Sequence, residues 1–463
     1  MEFGHNDNNN LPLTKFESML KTNHVLFFDS EEFENIIHHY LNQGKIALAK
    51  KAIKLGLNQH PTSINLRLFK VEIYVFEDKL EEADMLLSEL YILDPTNEEI
   101  YIQKANIFSK KDDHEQAIEI LKKALELTDD VLDLYSLIGM EYLFLDQFEN
   151  AKLFFKKCLE VDINDYSALY NVIYCFEFLK QNDEAITYLN QFLDKSPYCE
   201  VAWHQLGKQY FALKEYEKAL TSYDFAIISD DTFVGAYLER GKVLEQLKRY
   251  QDAIENYTIT LQLDEPTSFA LLRIGGCYEK LENHELTLQY YDRAVHEDPQ
   301  LDKGWIAITK FYNKKGDYQN ALTFINKAIN IDSENVKYWK LYAQINQRLH
   351  FYEEAEHGYK KTIELGNYEL STWLSRGDLL IKLGESQEAI FNFEQAIEFY
   401  PENAEIEYRM AGLYFKLKEL DKGTFYLKNG FKHNEDYTFI LDELFPNVSK
   451  ELLVKNILKQ IYK

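Results

Sequence analysis

The sequence predicts an all-α solenoid of about twelve helical hairpins stacked in one array. Cut from Ser30 at every thirty-fourth residue, the chain keeps register without insertion. The twentieth place reads Ala49, Ala83, Ala117, Ala151, Ala185, Ala219, Ala253, Thr287, Ala321, Ala355, Ala389 and Gly423, all small. The twenty-fourth place is always large, from Ile53 and Leu87 through Phe155, Tyr257 and Phe393 to Leu427. Only 8 Pro and 18 Gly accompany a 46% hydrophobic content, too few breakers for a loop-rich β protein.

Taken in chain order, residues 1–11 are expected to be disordered, with Asn6, Asn8, Asn9 and Asn10 among them. Residues 12–29 carry Leu13, Phe16, Met19, Leu20, Leu26, Phe27 and Phe28, which suits an N-terminal capping segment. Asp29-Ser30-Glu31-Glu32 reads as a capping box opening the first hairpin. From 30 to 437 each repeat is apolar at places 4, 7, 8 and 11, then at 17, 20, 24 and 27, two stretches of helical period. Gly139, Gly207, Gly241, Gly275 and Gly377 fill place 8. A helical Gly costs about 1 kcal/mol relative to Ala, so close helix packing is the expected compensation. Place 11 is aromatic or Leu except at Asn346, whose side chain is expected to reach solvent. Residues 438–463 read as C-terminal capping helices. Leu452, Leu453, Ile457, Leu458 and Ile461 form one side of the last, and Lys450, Lys455, Lys459 and Lys463 sit among them.

Trp203-Leu206-Gly207-Tyr210 followed by Ala219, Tyr223 and Ala226 resembles the tetratricopeptide repeat (TPR) in both residue type and spacing. Trp373-Gly377 with Ala389, Phe393, Ala396 and Pro401 is similar, and Pro61, Pro95, Pro197 and Pro299 hold the same closing position. The resemblance implies a right-handed superhelix that recognises other proteins in its concave groove. More loosely, the opening Lys15-Phe16-Glu17-Ser18-Met19-Leu20 with Phe27-Phe28-Asp29 looks similar to uncharacterised cytosolic TPR proteins of Bacteroidetes-type bacteria.

Composition narrows the partner class. A net charge of −26 opposes nucleic acid, whose binding draws on clustered Lys and Arg. No apolar stretch approaches a membrane span, and the N-terminus lacks a basic region followed by an apolar run, so direct membrane insertion is not expected. Cys158, Cys175, Cys199 and Cys277 form no CxxC pair and read as small buried residues in a reducing compartment, which makes the cytoplasm the expected location. No phosphate-cradling loop or HExxH occurs, and the adjacent His38 and His39 point apart on a helix. No enzyme activity, metal or cofactor is expected.

In the TPR family, places 2, 5, 9, 12 and 13 of each first helix point into the groove. Carried over residue by residue, the early repeats place Glu31, Glu34, Glu72, Glu99, Asp133 and Glu177 there against Lys110. Leu68, Phe76, Ile102, Met140, Phe144, Tyr170, Tyr174 and Phe178 share that stretch. The later repeats place Lys208, Lys242, Lys280, Lys303, Lys310, Lys314, Lys337, Lys340, Arg348, Lys382 and Lys416 there, outnumbering Glu245, Glu279, Asp378 and Glu405. These aromatic and basic residues are the candidate groove for an acidic peptide with apolar anchors. A two-carboxylate clamp of the kind some relatives carry finds only Lys340 and Arg409 in place, with Glu405 of the wrong sign. The expected function is a scaffold or adaptor that binds a partner protein or peptide. The alternative is a structural subunit assembling through its convex face or ends. Ala219→Trp is expected to overpack a helix crossing and cost roughly 1–3 kcal/mol or more; an unchanged melting temperature would count against the register.

Overall fold

In the computed structural model, residues 11–22, 26–263 and 267–461 are described; the stretch expected to be disordered lies outside them except for Leu11, which opens the helix Leu11–Thr22. The chain divides into two compact units, Met1–Asp231 and Thr232–Lys463, and among the described residues it is all-α with no strand.

The first unit stacks six hairpins. Their first helices are Ser30–Asn42, Ile64–Phe76, Glu98–Lys110, Leu132–Phe144, Tyr166–Phe178 and Glu200–Ala212, and their second helices are Ile46–Gln59, Leu80–Leu93, His114–Ala124, Phe148–Val161, Asn182–Lys195 and Tyr216–Ser229. In the second unit the first helices are Val234–Gln246, Ser268–Lys280, Asp302–Lys315, Val336–Arg348, Leu370–Leu383 and Ala404–Lys416. The second helices are Tyr250–Leu263, His284–Glu297, Tyr318–Ile331, Tyr352–Glu364, Ser386–Phe399 and Leu420–His433. Every first helix opens at place 1 and every second helix at place 17. The period read from side chains is therefore the period of the backbone.

Local chemistry sets those boundaries. Asp29 accepts from the Glu32 amide at 2.8 Å while Glu32 Oε2 accepts from the Asp29 amide at 3.1 Å, the reciprocal capping box. At place 34, Ser63, Asn97, Asp165, Thr267, Asn335 and Asn403 cap the following helix with their side chains. Place 15, between the two helices of each hairpin, is left-handed throughout: Gly44, Gly316 and Gly384 there are joined by Asp78, Asp112, Asp146, Lys180, Lys214, Lys248, Glu282, His350 and Lys418. In several repeats place 4 ties the hairpin to the one before it. Tyr101 donates to the Pro95 carbonyl at 3.0 Å, Trp203 to Pro197 at 2.9 Å, Trp305 to Pro299 at 3.0 Å and Trp339 to Ser333 at 2.8 Å. At Trp203 and Trp305 the tryptophan and the proline of the repeat signature are thus donor and acceptor of one bond.

Inside each hairpin, place 20 is buried in all twelve repeats, and so is place 24. Places 8 and 24 of one repeat fill a shared volume. A Cβ at Gly139 would lie 2.7 Å from the Phe155 ring, at Gly207 2.6 Å from Tyr223, at Gly241 2.6 Å from Tyr257, at Gly275 2.5 Å from Tyr291 and at Gly377 2.1 Å from Phe393. Where place 24 is aliphatic, place 8 is larger, as in Ile37 with Ile53 or Ile173 with Leu189, all buried. Tyr359 meets Ala343 instead, and the space comes from its neighbour Gly358, whose added Cβ would stand 2.9 Å from the Ala343 methyl.

Two end segments complete the units. Phe16, Met19 and Phe28 pack with Phe33, Ile37 and Tyr40 against the first hairpin. At the other end the helix Ala404–Lys416 is buried on all sides by Phe439–Leu444, Phe445, Val448 and Val454, and a Cβ at Gly412 would meet Phe445 at 2.2 Å. Asn346 corrects an expectation. It is buried, 1% exposed, and its Nδ2 donates to the Tyr342 carbonyl at 2.9 Å, which lets an amide stand among aromatic neighbours. The four cysteines are free and buried, and burial pushes the Cys158 and Cys175 thiols up to about 11 and Cys277 up to about 12.

Two outcomes test this packing. Gly139→Ile is expected to cost roughly 1–3 kcal/mol by overpacking, and adding Phe155→Leu should restore part of it, with a coupling of about 0.5–3 kcal/mol in a chemical-denaturation cycle. Additive losses would show that the two places do not share a volume. Lys248→Gly, at φ 60°, is expected to raise stability by about 0.5–1 kcal/mol in the same assay, because Gly takes the left-handed turn without the Cβ clash.

Candidate partner-binding face

In the first unit, Tyr170, Tyr174 and Phe178 lie four residues apart and therefore on one side of the helix Tyr166–Phe178, and all three are exposed. Phe178 stacks on Phe148 at 3.8 Å between ring centroids and 21° between planes, and Tyr174 stands 6.3 Å from each of those two rings. The packing fixes ring orientation while leaving outer faces open, a stepped aromatic surface suited to apolar side chains. Beside it, Glu177 accepts from Gln209 Nε2 at 2.8 Å and stands 3.8 Å from Lys208 Nζ, so that lysine is already countered.

The second unit holds most of the candidate cations, in three states. Lys242 and Lys340 are paired, with Glu239 at 2.6 Å and Glu369 at 2.5 Å, and Lys242 also lies 5.4 Å over the Phe269 ring. Lys314 is 3.8 Å from Glu279 but 71% exposed, a weak pair, and Lys382 lies 5.5 Å over the Tyr352 ring. Lys303, Lys310, Lys337 and Arg348 are exposed and form no ion pair among the described residues. Two clefts take in Lys303, Lys310 and Arg348 of these. One of 450 Å³ is lined by Arg273, Lys303 and Lys310 together with Glu245, Glu279, Tyr291 and Tyr338, among others. One of 820 Å³ is lined by Arg348 and Lys382 with Asn313, Gln344, Gln347 and His350.

The acids of this face are engaged from behind. Tyr257 Oη, from place 24, donates to Glu245 at place 12 across 2.6 Å, and Tyr291 Oη donates to Glu279 at 2.9 Å. Both tyrosines point through the gap that Gly241 and Gly275 leave at place 8. Burial first, and the adjoining carboxylate second, hold both phenols far above their ordinary range, so they donate across the whole physiological pH span. Arg273 adds a pair to Glu245 with Nη2 at 2.7 Å. Arg409 grips Asp378 at 2.6 and 2.9 Å and stands 3.9 Å from Glu405. Arg273 and Arg409 occupy place 6, outside the inward places of the sequence reading, which is why that reading counted four acids without their partners. The bidentate bond to Asp378 also commits Arg409, one of the two clamp positions that fitted.

Most inward places of the last repeat are covered, although Lys416 at place 13 stays exposed. Tyr408, Gly412 and Phe415, at places 5, 9 and 12, are buried beneath the C-terminal segment. Nothing in the period signals this, because the covering residues lie beyond it. Among the described residues, no group of three or more His, Cys, Asp or Glu is placed to hold a metal ion, and no helix is long and apolar enough to cross a membrane.

Family models described as tetratricopeptide repeat match residues 98–130, 132–164, 303–335 and 370–403, residues 204–266, and residues 167–197 and 269–300; together they take in more than half of the chain. Over 133 residues the chain is 26% identical to anaphase-promoting complex subunit 3 of Schizosaccharomyces pombe, a match that takes in 29% of this chain and only 20% of that one. Among solved structures, a tetratricopeptide repeat protein from Parabacteroides merdae is similar over 53% of this chain and 97% of its own, with 17% identity and a TM-score of 0.41. The C-terminal part of a TPR repeat-containing protein from Cytophaga hutchinsonii is similar over 52% of this chain and 98% of its own, with 17% identity and a TM-score of 0.44.

Proposed function

This chain belongs to the tetratricopeptide-repeat family, and from that membership we propose that it is a non-catalytic scaffold whose partner carries an acidic segment and apolar anchor residues. The observation that supports the acidic preference is the second unit's first-helix face. Its carboxylates Glu245, Glu279 and Asp378 are bonded to tyrosines and arginines of their own chain, while Lys303, Lys310, Lys337 and Arg348 stand exposed without an ion pair among the described residues. Cations already desolvated by paired neighbours would gain little from a ligand, whereas exposed, unpaired ones release nothing when an anion arrives. Lys303 and Lys310, sharing one cleft, are therefore the pair we assign to carboxylate side chains of the partner. The stepped rings of Tyr170, Tyr174 and Phe178 suit its apolar residues. The buried free thiols accord with a reducing, cytoplasmic setting.

A second reading is assembly into a larger complex through the second helices. It draws on Ile92, Leu93 and Ile228, large apolar side chains that the second helices of the first unit leave exposed. The S. pombe relative is by its name a subunit of such a complex.

A fluorescein-labelled peptide of Glu residues interspersed with Phe is the direct probe. Polarisation with the full chain should show binding that weakens with added salt, and Lys303→Glu with Lys310→Glu should weaken it by about tenfold or more. Unchanged affinity in a variant of unchanged helical signal would overturn the acidic-peptide reading. A stable oligomer in light scattering, lost on Ile92→Asp with Ile228→Asp, would favour assembly instead.

A further inference from the structure

Between the ends of the first helices Ile64–Phe76 and Leu132–Phe144, both in the first unit, lies a cleft of 560 Å³. Its two rims are aromatic. Phe76 is 65% exposed and Phe144 59%, both at place 13 of their repeats. Between them the helix Glu98–Lys110 contributes only Gln103, Asn106, Ser109 and Lys110 to the lining, so a smaller, polar surface separates two large rings. Phe144 is held in place. The His114 ring stacks on it at 4.9 Å and 15°, and His114 Nδ1 is in turn fixed by Glu141 Oε2 at 2.7 Å.

Acids outnumber bases around the cleft: Glu72 and Asp112 line it against Lys110, and Glu99 and Asp133 both stand at place 2 of neighbouring first helices. Burial, reinforced by the carboxylates of Glu72, Glu98 and Asp133, holds Glu99 above the usual carboxylate range despite the hydrogen bond it accepts from Gln103. Among the described residues no lysine, arginine or histidine forms an ion pair with Glu72, Glu99 or Asp133. Exposed aromatic rims beside carboxylates that repel one another form a surface completed by a cation with an apolar neighbour. The carboxylates supply the counter-charge, and the ring faces accept both the apolar side chain and the stem of a lysine or arginine.

We infer that this cleft is a second interaction site, specific for an extended partner segment that alternates basic and large apolar side chains. It is independent of the acidic-peptide site and selects for the opposite charge. One scaffold of this kind brings a basic segment and an acidic segment onto the same chain.

The net charge of −26 attracts any cation, so the deciding comparison keeps charge constant. The probe is a fluorescein-labelled peptide of alternating Lys and Phe, with a Lys and Ala peptide of equal length as control, titrated into the full chain by polarisation. The Lys–Phe peptide is expected to bind about tenfold or more tightly than the Lys–Ala peptide. Phe76→Ala with Phe144→Ala, which leaves charge and buried core untouched, should erase that difference. Glu72→Lys should weaken the Lys–Phe peptide while leaving the Glu–Phe peptide of the other site unaffected. Equal affinity of the two basic peptides, or full binding by the double alanine variant, overturns the assignment. Self-association of the unlabelled chain that the same double variant abolishes would give the cleft to a second copy and overturn it as well. Loss of Glu–Phe binding alone bears on the acidic site and leaves this one standing.

Discussion

Everything in this molecule depends on how closely the two helices of a hairpin approach. That distance is set by the sum of two side chains, one at place 8 and one at place 24 of the same repeat. When the second is Phe or Tyr the first is Gly, in five repeats, and when the second is Ile or Leu the first is larger. Close-packed interiors tolerate neither a void nor an extra methyl group, so the hairpin geometry stays nearly constant while its composition varies. The constant geometry then keeps every first helix in register and gives the partner face its regular spacing.

The same approach shapes the electrostatics. At Gly241 and Gly275 the missing side chain at place 8 lets the tyrosine at place 24 run through to the opposite wall, where its hydroxyl meets the glutamate at place 12. Glu245 and Glu279 thereby become acceptors inside the packing. Lys303, Lys310, Lys337 and Arg348, on the first helices that follow, are left as the exposed charge. A core-packing choice and a surface property are thus one arrangement, seen from the two sides of a helix.

Much of this was legible beforehand, and the exceptions have physical reasons. Places 8, 20 and 24 could be read because burial acts on them identically in every repeat, and the backbone follows them from Ser30 to His433. The left-handed turn at place 15 went unread because Asp, Lys, Glu and His fill most of its positions, so no glycine marks it. Arg273, and the bond of Arg409 to Asp378, were missed because place 6 is not an inward place by rule, yet an arginine is long enough to reach one. Asn346 was assigned to solvent on its polarity, although it is buried with its Nδ2 bonded to its own helix. The covering of Tyr408, Gly412 and Phe415 was invisible to any argument from period, since Phe445 belongs to no repeat.

The lock between places 8 and 24 is contained within one hairpin. A gene encoding such a chain can gain or lose whole repeats by unequal crossing-over without separating any matched pair. A crossover falling between the two helices, by contrast, would join the first helix of one repeat to the second of another, setting Ile173 against a tyrosine or Gly207 against a leucine. Offspring of the first kind keep every pair matched, whereas offspring of the second can carry an overpacked or hollow hairpin, so the joints between hairpins are where recombination disturbs this packing least.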